Sequence, residues 1–147
     1  MSRKFSVITD TATIVVFDLA AIKHRISDAP DWWSIQQDEV HEVNKGNIAF
    51  LNVGEDGVYN IKIVDDVSDE DGRVYIGFPS GHIFIGAGED TAGGDLEPDG
   101  SDAIQGEMLK FTPGNYKLKY KNIGNYIVLS FSPSEINYNS IVEPIRI

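Results

Sequence analysis

The chain has no cysteine and only two methionines, and its twelve basic residues face twenty-three acidic ones. The missing cysteine excludes disulfides, thiolate zinc sites and cysteine nucleophiles at once. It also fits a reducing compartment. Long apolar runs are missing as well, and none approaches the length of a membrane-spanning helix. The segment MSRKFSVITDTATIVVFDLA starts with basic residues, but Asp10 and scattered Ser and Thr interrupt any apolar signal core. The expectation is a soluble, cytoplasmic protein. Catalytic signatures are also lacking. There is no Gly-x-Ser-x-Gly elbow, and His24, His41 and His82 stand apart with no metal-ligand spacing. Gly86-Ala87-Gly88 follows an apolar segment but opens no helical pattern, which argues against a phosphate loop. A non-enzymatic protein without a cofactor is expected.

What is present is enough apolar material for one core. A chain of 147 residues that is 41% hydrophobic and 10% aromatic is long enough to fold as a single domain, residues 1–147, without staples. Its dominant period is two. TATIVVF (residues 11–17) is a β-branched run, and NIAFLNV (47–53) and VYNIKIV (58–64) read as strands. In the last of these Tyr59, Ile61 and Ile63 share one side. Gly54-Glu55-Asp56-Gly57 between the two predicts a hairpin. Pro79-Ser80-Gly81 predicts a second, joining RVYIGF (73–78) to HIFIGA (82–87). Pro113-Gly114 predicts a third, joining EMLKFT (107–112) to NYKLKYK (115–121). That final segment alternates Tyr116, Leu118 and Tyr120 with Lys117, Lys119 and Lys121, as a half-buried strand with a basic outer face would. NYIVLSFS (125–132) adds another strand, and SIVEPIRI (140–147) an edge strand, because Pro144 bars a central place. Helix is scarce. Asp18 is a candidate N-cap for a short helix carrying Leu19, Ile22 and Ile26, and DAPDWWSIQQ offers another turn. The fold class expected is all-β, a mainly antiparallel β-sandwich with one or two short helical turns.

The charge is unevenly placed. Residues 1–54 carry a net charge of −2, residues 55–107 carry −12 and residues 108–147 carry +3, which gives −11 for the chain. A field of that sign repels nucleic acid and anionic membrane and speeds encounter with a basic protein. Two segments concentrate it, residues 65–71 and 89–102, with Asp69, Glu70, Asp71, Asp95, Asp99 and Asp102 as the candidate partner-binding residues. The loop from Gly88 to Gly106 is the only long stretch without a strand or helix pattern. The same acids could instead hold calcium. Neither segment has the full spacing of a calcium loop, so such a site would need both. Adjacent Trp32 and Trp33 would put one indole on each face of an extended segment, which leaves a sugar-stacking surface open as part of that alternative. The bland alternatives are solvated loops and two packed indoles. Finally, the Lys117, Lys119 and Lys121 face could meet the acidic loop of a second copy and make a homo-oligomer.

Three features carry a resemblance. They are Asp31-Trp32-Trp33 on a connection, Gly46, Ile48 and Phe50 at a strand start, and Pro113, Gly114 and Tyr116 at a late turn, spread over residues 11–132. In these the chain resembles small all-β bacterial immunity and inhibitor proteins, including the competence nuclease-inhibitor type. VVFDLAAIKHRISDAPDWW is also similar to stretches of uncharacterised bacterial families of this size. The resemblance implies a protein that binds and inhibits a toxin or nuclease. It transfers no binding residue.

Overall fold

Two kinds of strand pattern occur in this sequence, and they end up in different sheets. The computed structural model describes residues 3–22, 35–88, 106–124 and 126–147. Among them the strands are β1 (Arg3–Thr9), β2 (Thr13–Asp18), β3 (Ile48–Asn52), β4 (Gly57–Ile63), β5 (Gly72–Phe78), β6 (His82–Ala87), β7 (Gly106–Lys110), β8 (Gly114–Ile123) and β9 (Tyr126–Pro133). One sheet has the order β1-β4-β9-β8-β5 and the other β3-β2-β6-β7. Every pairing is antiparallel except β4 with β9. The expected all-β sandwich is what forms. In the first sheet strands such as β4, β5 and β8 alternate between buried and wetter residues. In the second, all of β2 is buried, and so is nearly all of β3 and β6. Val74, Ile76, Phe78, Leu118, Ile127 and Leu129 of the first sheet and Ile14, Val16, Phe17, Phe50, Phe84 and Ile85 of the second belong to one buried apolar cluster. Phe17 and Phe84 pair across β2 and β6 with ring centroids 5.4 Å apart. β1 packs against β6 and β7 of the other sheet, and β5 against β2 and β3.

None of the three predicted hairpins forms. β3 pairs with β2 while β4 pairs with β1 and β9. β5 pairs with β8 while β6 pairs with β2 and β7. β7 lies in one sheet and β8 in the other. Each Gly-rich turn is an arch that carries the chain from one sheet to the opposite one. The tight hairpin that does form joins β8 to β9, where Ile123 faces Tyr126.

The arch between β5 and β6 is fixed by one buried carboxylate. Asp18 is fully buried at the end of β2. Its Oδ1 accepts the Ala20 N–H at 2.9 Å and so caps the 3-10 turn Leu19–Ala21. This is the expected N-cap, but the helix is a single 3-10 turn within the described residues, and Ile26 lies outside them. Asp18 Oδ2 accepts Ser80 N–H at 2.7 Å and Gly81 N–H at 2.9 Å, and the Ser80 hydroxyl donates to Oδ1 at 2.8 Å. Gly81 has φ +81°, and a side chain there would collide with the Phe111 carbonyl, so the position admits only glycine.

The helix α1 (Gln36–Asn44) was not legible as a nine-residue element, because its buried face carries Glu39 and Glu42 beside Val43. Both acids serve polar links. Asn52 Nδ2 donates to Glu39 Oε2 at 3.2 Å, and Asn47 Nδ2 to Glu42 Oε1 at 2.8 Å. The last residues are laced to the same region by asparagines. Asn139 Nδ2 donates to Val43 O and Tyr75 O, and its Oδ1 accepts Tyr75 N–H at 2.8 Å. Asn44 exchanges two bonds with Ile141. The expected last strand is reduced to one parallel bridge, Asn52 with Arg146, at the edge where Pro144 allows it.

Two outcomes follow. Asp18→Ala leaves the buried Gly81 N–H and the partly buried Ser80 N–H of the arch without a partner and is expected to cost roughly 2–4 kcal/mol, or about 5–10 °C in Tm by thermal denaturation. Burial holds the Glu39 carboxyl above its ordinary value, outweighing the Asn52 hydrogen bond and the Arg146 charge. The folded state therefore keeps this proton to higher pH than the unfolded one, and stability falls as pH rises through that window. Glu39→Gln is expected to raise stability at neutral pH, with the gain vanishing below the carboxylate range in denaturant titrations.

Candidate functional site

The outer face of the first sheet is basic, although the chain as a whole is acidic. Strand alternation puts Lys4, Lys62, Arg73, Lys117, Lys119 and Lys121 on the side away from the core residues Val7, Ile61, Val74 and Leu118. The connection between β4 and β5, residues 64–71, lies across this face. Val67 is buried, and its N–H donates to the Oγ of buried Ser130 on β9 at 3.2 Å. Lys119 Nζ meets Asp66 Oδ1 at 3.1 Å, and Lys121 Nζ donates to the Asp69 carbonyl at 2.8 Å. The Lys face thus meets an acidic loop of its own chain. A groove of about 340 Å³ remains between loop and sheet, lined by Lys62, Val64, Asp66, Asp69, Lys121 and Val128.

The three candidate acids of this loop have different environments. Asp69 is exposed and has φ +56°, a left-handed conformation that a short Asp side chain tolerates and that turns its carbonyl toward Lys121. Glu70 pairs with Arg73 at 2.7 Å. Asp71 continues the sheet ladder. Its N–H donates to Tyr120 O at 2.9 Å, and its Oδ2 accepts Asn122 N–H at 2.8 Å. Burial first, and the Asp71 charge second, push the Tyr120 hydroxyl above its ordinary pKa. Asp95, Asp99 and Asp102 lie outside the described residues, as do His24, Trp32 and Trp33.

The structure also brings the ends of both acidic connections together. Ile63, the last residue before the first loop, is the register partner of Arg3. Arg3 in turn bridges Glu107 at 2.9 Å, and Glu107 stands just after the second segment, at the start of β7. The described residues next to the two acidic connections, Ile63 and Glu107, therefore both meet Arg3 at one corner of the sandwich. Sequence reading did not find this contact, because Arg3 and Glu107 are 104 positions apart and belong to different sheets. His41 on α1 and His82 on β6 are both exposed. Among the described residues no group of three or more His, Cys, Asp or Glu side chains is placed to hold a metal ion. Among them too, no helix is long and apolar enough to cross a membrane.

The model of a family of unknown function, DUF6386, matches residues 1–147, and the chain belongs to that family. No curated protein matches it in sequence. Two solved structures share its fold. ComJ from Bacillus subtilis, an inhibitor of the DNA-degrading activity of NucA, is similar with a TM-score of 0.54 and 12% identity, over 90% of this chain and 96% of that one. A protein described as crocagin biosynthetic gene J is similar with a TM-score of 0.52 and 14% identity, over 91% of this chain and 96% of that one.

The seat of the acidic loop rests on one hydroxyl. Ser130→Ala leaves the buried Val67 N–H without its acceptor and is expected to speed amide exchange across residues 65–71 by about tenfold. Unchanged exchange would show that the ion pairs alone hold the loop.

Proposed function

We propose that this member of DUF6386 is a cytoplasmic, non-enzymatic inhibitor-type binding protein whose acidic corner receives a basic partner of the nuclease or toxin class. The observation that carries this reading is the Arg3–Glu107 contact, which joins the flank of the second acidic connection to the strand pair from which the first one leaves. An enzyme that grips a nucleic acid needs a cationic surface for phosphates, and clustered carboxylates present the same sign of charge in the same kind of cleft. ComJ, which shares the fold, is an inhibitor of a DNA-degrading enzyme. An inhibitor of that kind has to reach its target before damage is done, and a net charge of −11 concentrated in the middle of the chain accelerates encounter with a cation-rich surface. Asp66, Glu70 and Asp71 hold the loop through Lys119, Arg73 and the Asn122 N–H, and the Asp69 side chain of the same segment is exposed.

The test uses the purified product of the neighbouring nuclease or toxin gene. With Asp69, Asp95, Asp99 and Asp102 replaced by Asn, association at low salt is expected to slow by about tenfold or more and to lose most of its salt dependence. A complex that forms at an unchanged rate would overturn the role of the acids. Absence of any complex or inhibition would overturn the inhibitor reading itself.

A further inference from the structure

We propose that the cleft where β4 and β9 part is a socket for one arginine side chain of the basic partner, an inference that deepens the inhibitor reading and rests on it. β4 and β9 run parallel, with Ile61 beside Ile127 and Ile63 beside Leu129 in the core. The Val64 N–H still donates to Leu129 O at 2.9 Å, and there the pairing ends. Two residues beyond Ile63 and Leu129 stand Asp65 and Phe131. The cleft that opens here has a volume of about 90 Å³ and is lined by Ile63, Val64, Asp65, Phe111 and Phe131. Sites for whole small molecules start at about 300 Å³, so this space suits a single side chain and not a nucleotide or a cofactor. Its aromatic wall is held from behind. The Phe111 and Phe131 rings lie 5.0 Å apart at 45° to each other, and buried Phe78 packs on both, at 5.7 and 5.9 Å. The Phe111 N–H donates to Gly81 O at 2.8 Å, which ties that ring to the arch that Asp18 holds. Both rings are only half-buried, and Asp65 is exposed.

The lining chemistry selects the occupant. Among the described residues Asp65 is the only charged side chain that lines the cleft. Arg3, the register partner of Ile63, is engaged by Glu107. Aromatic faces attract a cation through their negative π-surface, and a carboxylate beside them matches its charge. Arginine answers both. Its planar guanidinium stacks on rings and meets a carboxylate as a fork, and its methylene stem covers apolar surface such as Ile63 and Val64. A lysine ammonium is a point charge that matches neither geometry as well. An enzyme that grips phosphates carries such arginines on its binding face. Asp65 opens the acidic segment 65–71, so the residues that draw a cationic surface in and the socket that retains one of its side chains are neighbours. The two act on different rates: the acidic field speeds encounter, and a filled socket slows dissociation.

The test needs no partner protein. The full chain is titrated with N-acetyl-arginine amide and followed by NMR at the resonances of Ile63, Val64, Phe111 and Phe131. Saturable shifts at these residues are expected, with a Kd on the order of 5 mM. The citrulline analogue has the same shape without the charge and should bind about tenfold more weakly or not at all. Asp65→Asn and Phe131→Leu should each weaken arginine binding by about threefold to tenfold, whereas Asp69→Asn, which changes the same net charge outside the cleft, should leave it unchanged. The spectrum of each variant reports whether it folds. Absence of shifts at the four residues would overturn the proposal. So would an equal response to citrulline, or a loss with Asp69→Asn as large as with Asp65→Asn, which would mark a diffuse field in place of a socket. These outcomes leave the inhibitor reading standing, because no partner is present, and failure to form a complex with the nuclease or toxin would overturn that reading alone.

Discussion

A strand that is apolar on both faces cannot sit in a sheet with one wet face, and this constraint organises the molecule. β2 is buried along its whole length, and β3 and β6 nearly so. β4, β5 and β8 keep one face for water. Mixing the two kinds would expose Val15 or Ile85 on one side, or bury Lys62 and Lys119 on the other. Burying an unpaired ammonium group costs several kcal/mol, more than any turn preference can offset. The chain therefore changes sheet at the arches between β3 and β4 and between β5 and β6. Asp18 serves the same end, because the arch that leaves β5 must be held against the end of β2 before β6 can join it.

That constraint also explains what was legible in the sequence. The strands themselves were, since period two and β-branched runs mark them directly. The inner residues Ile61, Ile63, Leu118 and Tyr120 and the Lys117–Lys119–Lys121 outer face were legible for the same reason. Strand partners were not. Gly54 and Gly57, or Pro79 and Gly81, permit a sharp reversal, but a reversal may lie within a sheet or between two sheets. For the first two arches the sequence did hold a distinguishing signal: each joins an alternating strand to one that is apolar throughout. For the third it did not, because β7 alternates much as β8 does. The helix was hidden by Glu39 and Glu42, whose burial depends on Asn52 and Asn47.

The acidic site divides in the same way. Local composition pointed to Asp69, Glu70 and Asp71, but not to the work each does. Glu70 and Asp71 hold the loop to Arg73 and to the Asn122 N–H, and Asp66 meets Lys119. The positive last third of the chain and the negative middle third are thus joined within one molecule. Part of the charge asymmetry seen along the sequence is internal to the fold.

The lacing of the last residues has a consequence for the order in which the molecule can be assembled on the ribosome. Asn139 seals the β5 edge at Tyr75, and Ile145 and Ile147 bond the backbone of Asn52 on β3. The parallel partner of β4 is β9, more than sixty residues downstream. Neither sheet can close around its early strands while those distant residues are still being synthesised. During that interval β3 and β5 are open edges, the kind of surface that pairs with the wrong chain. The asparagine ladder is therefore a late-acting seal: until residues 139–147 have emerged, keeping the nascent chain from self-association falls to its negative charge.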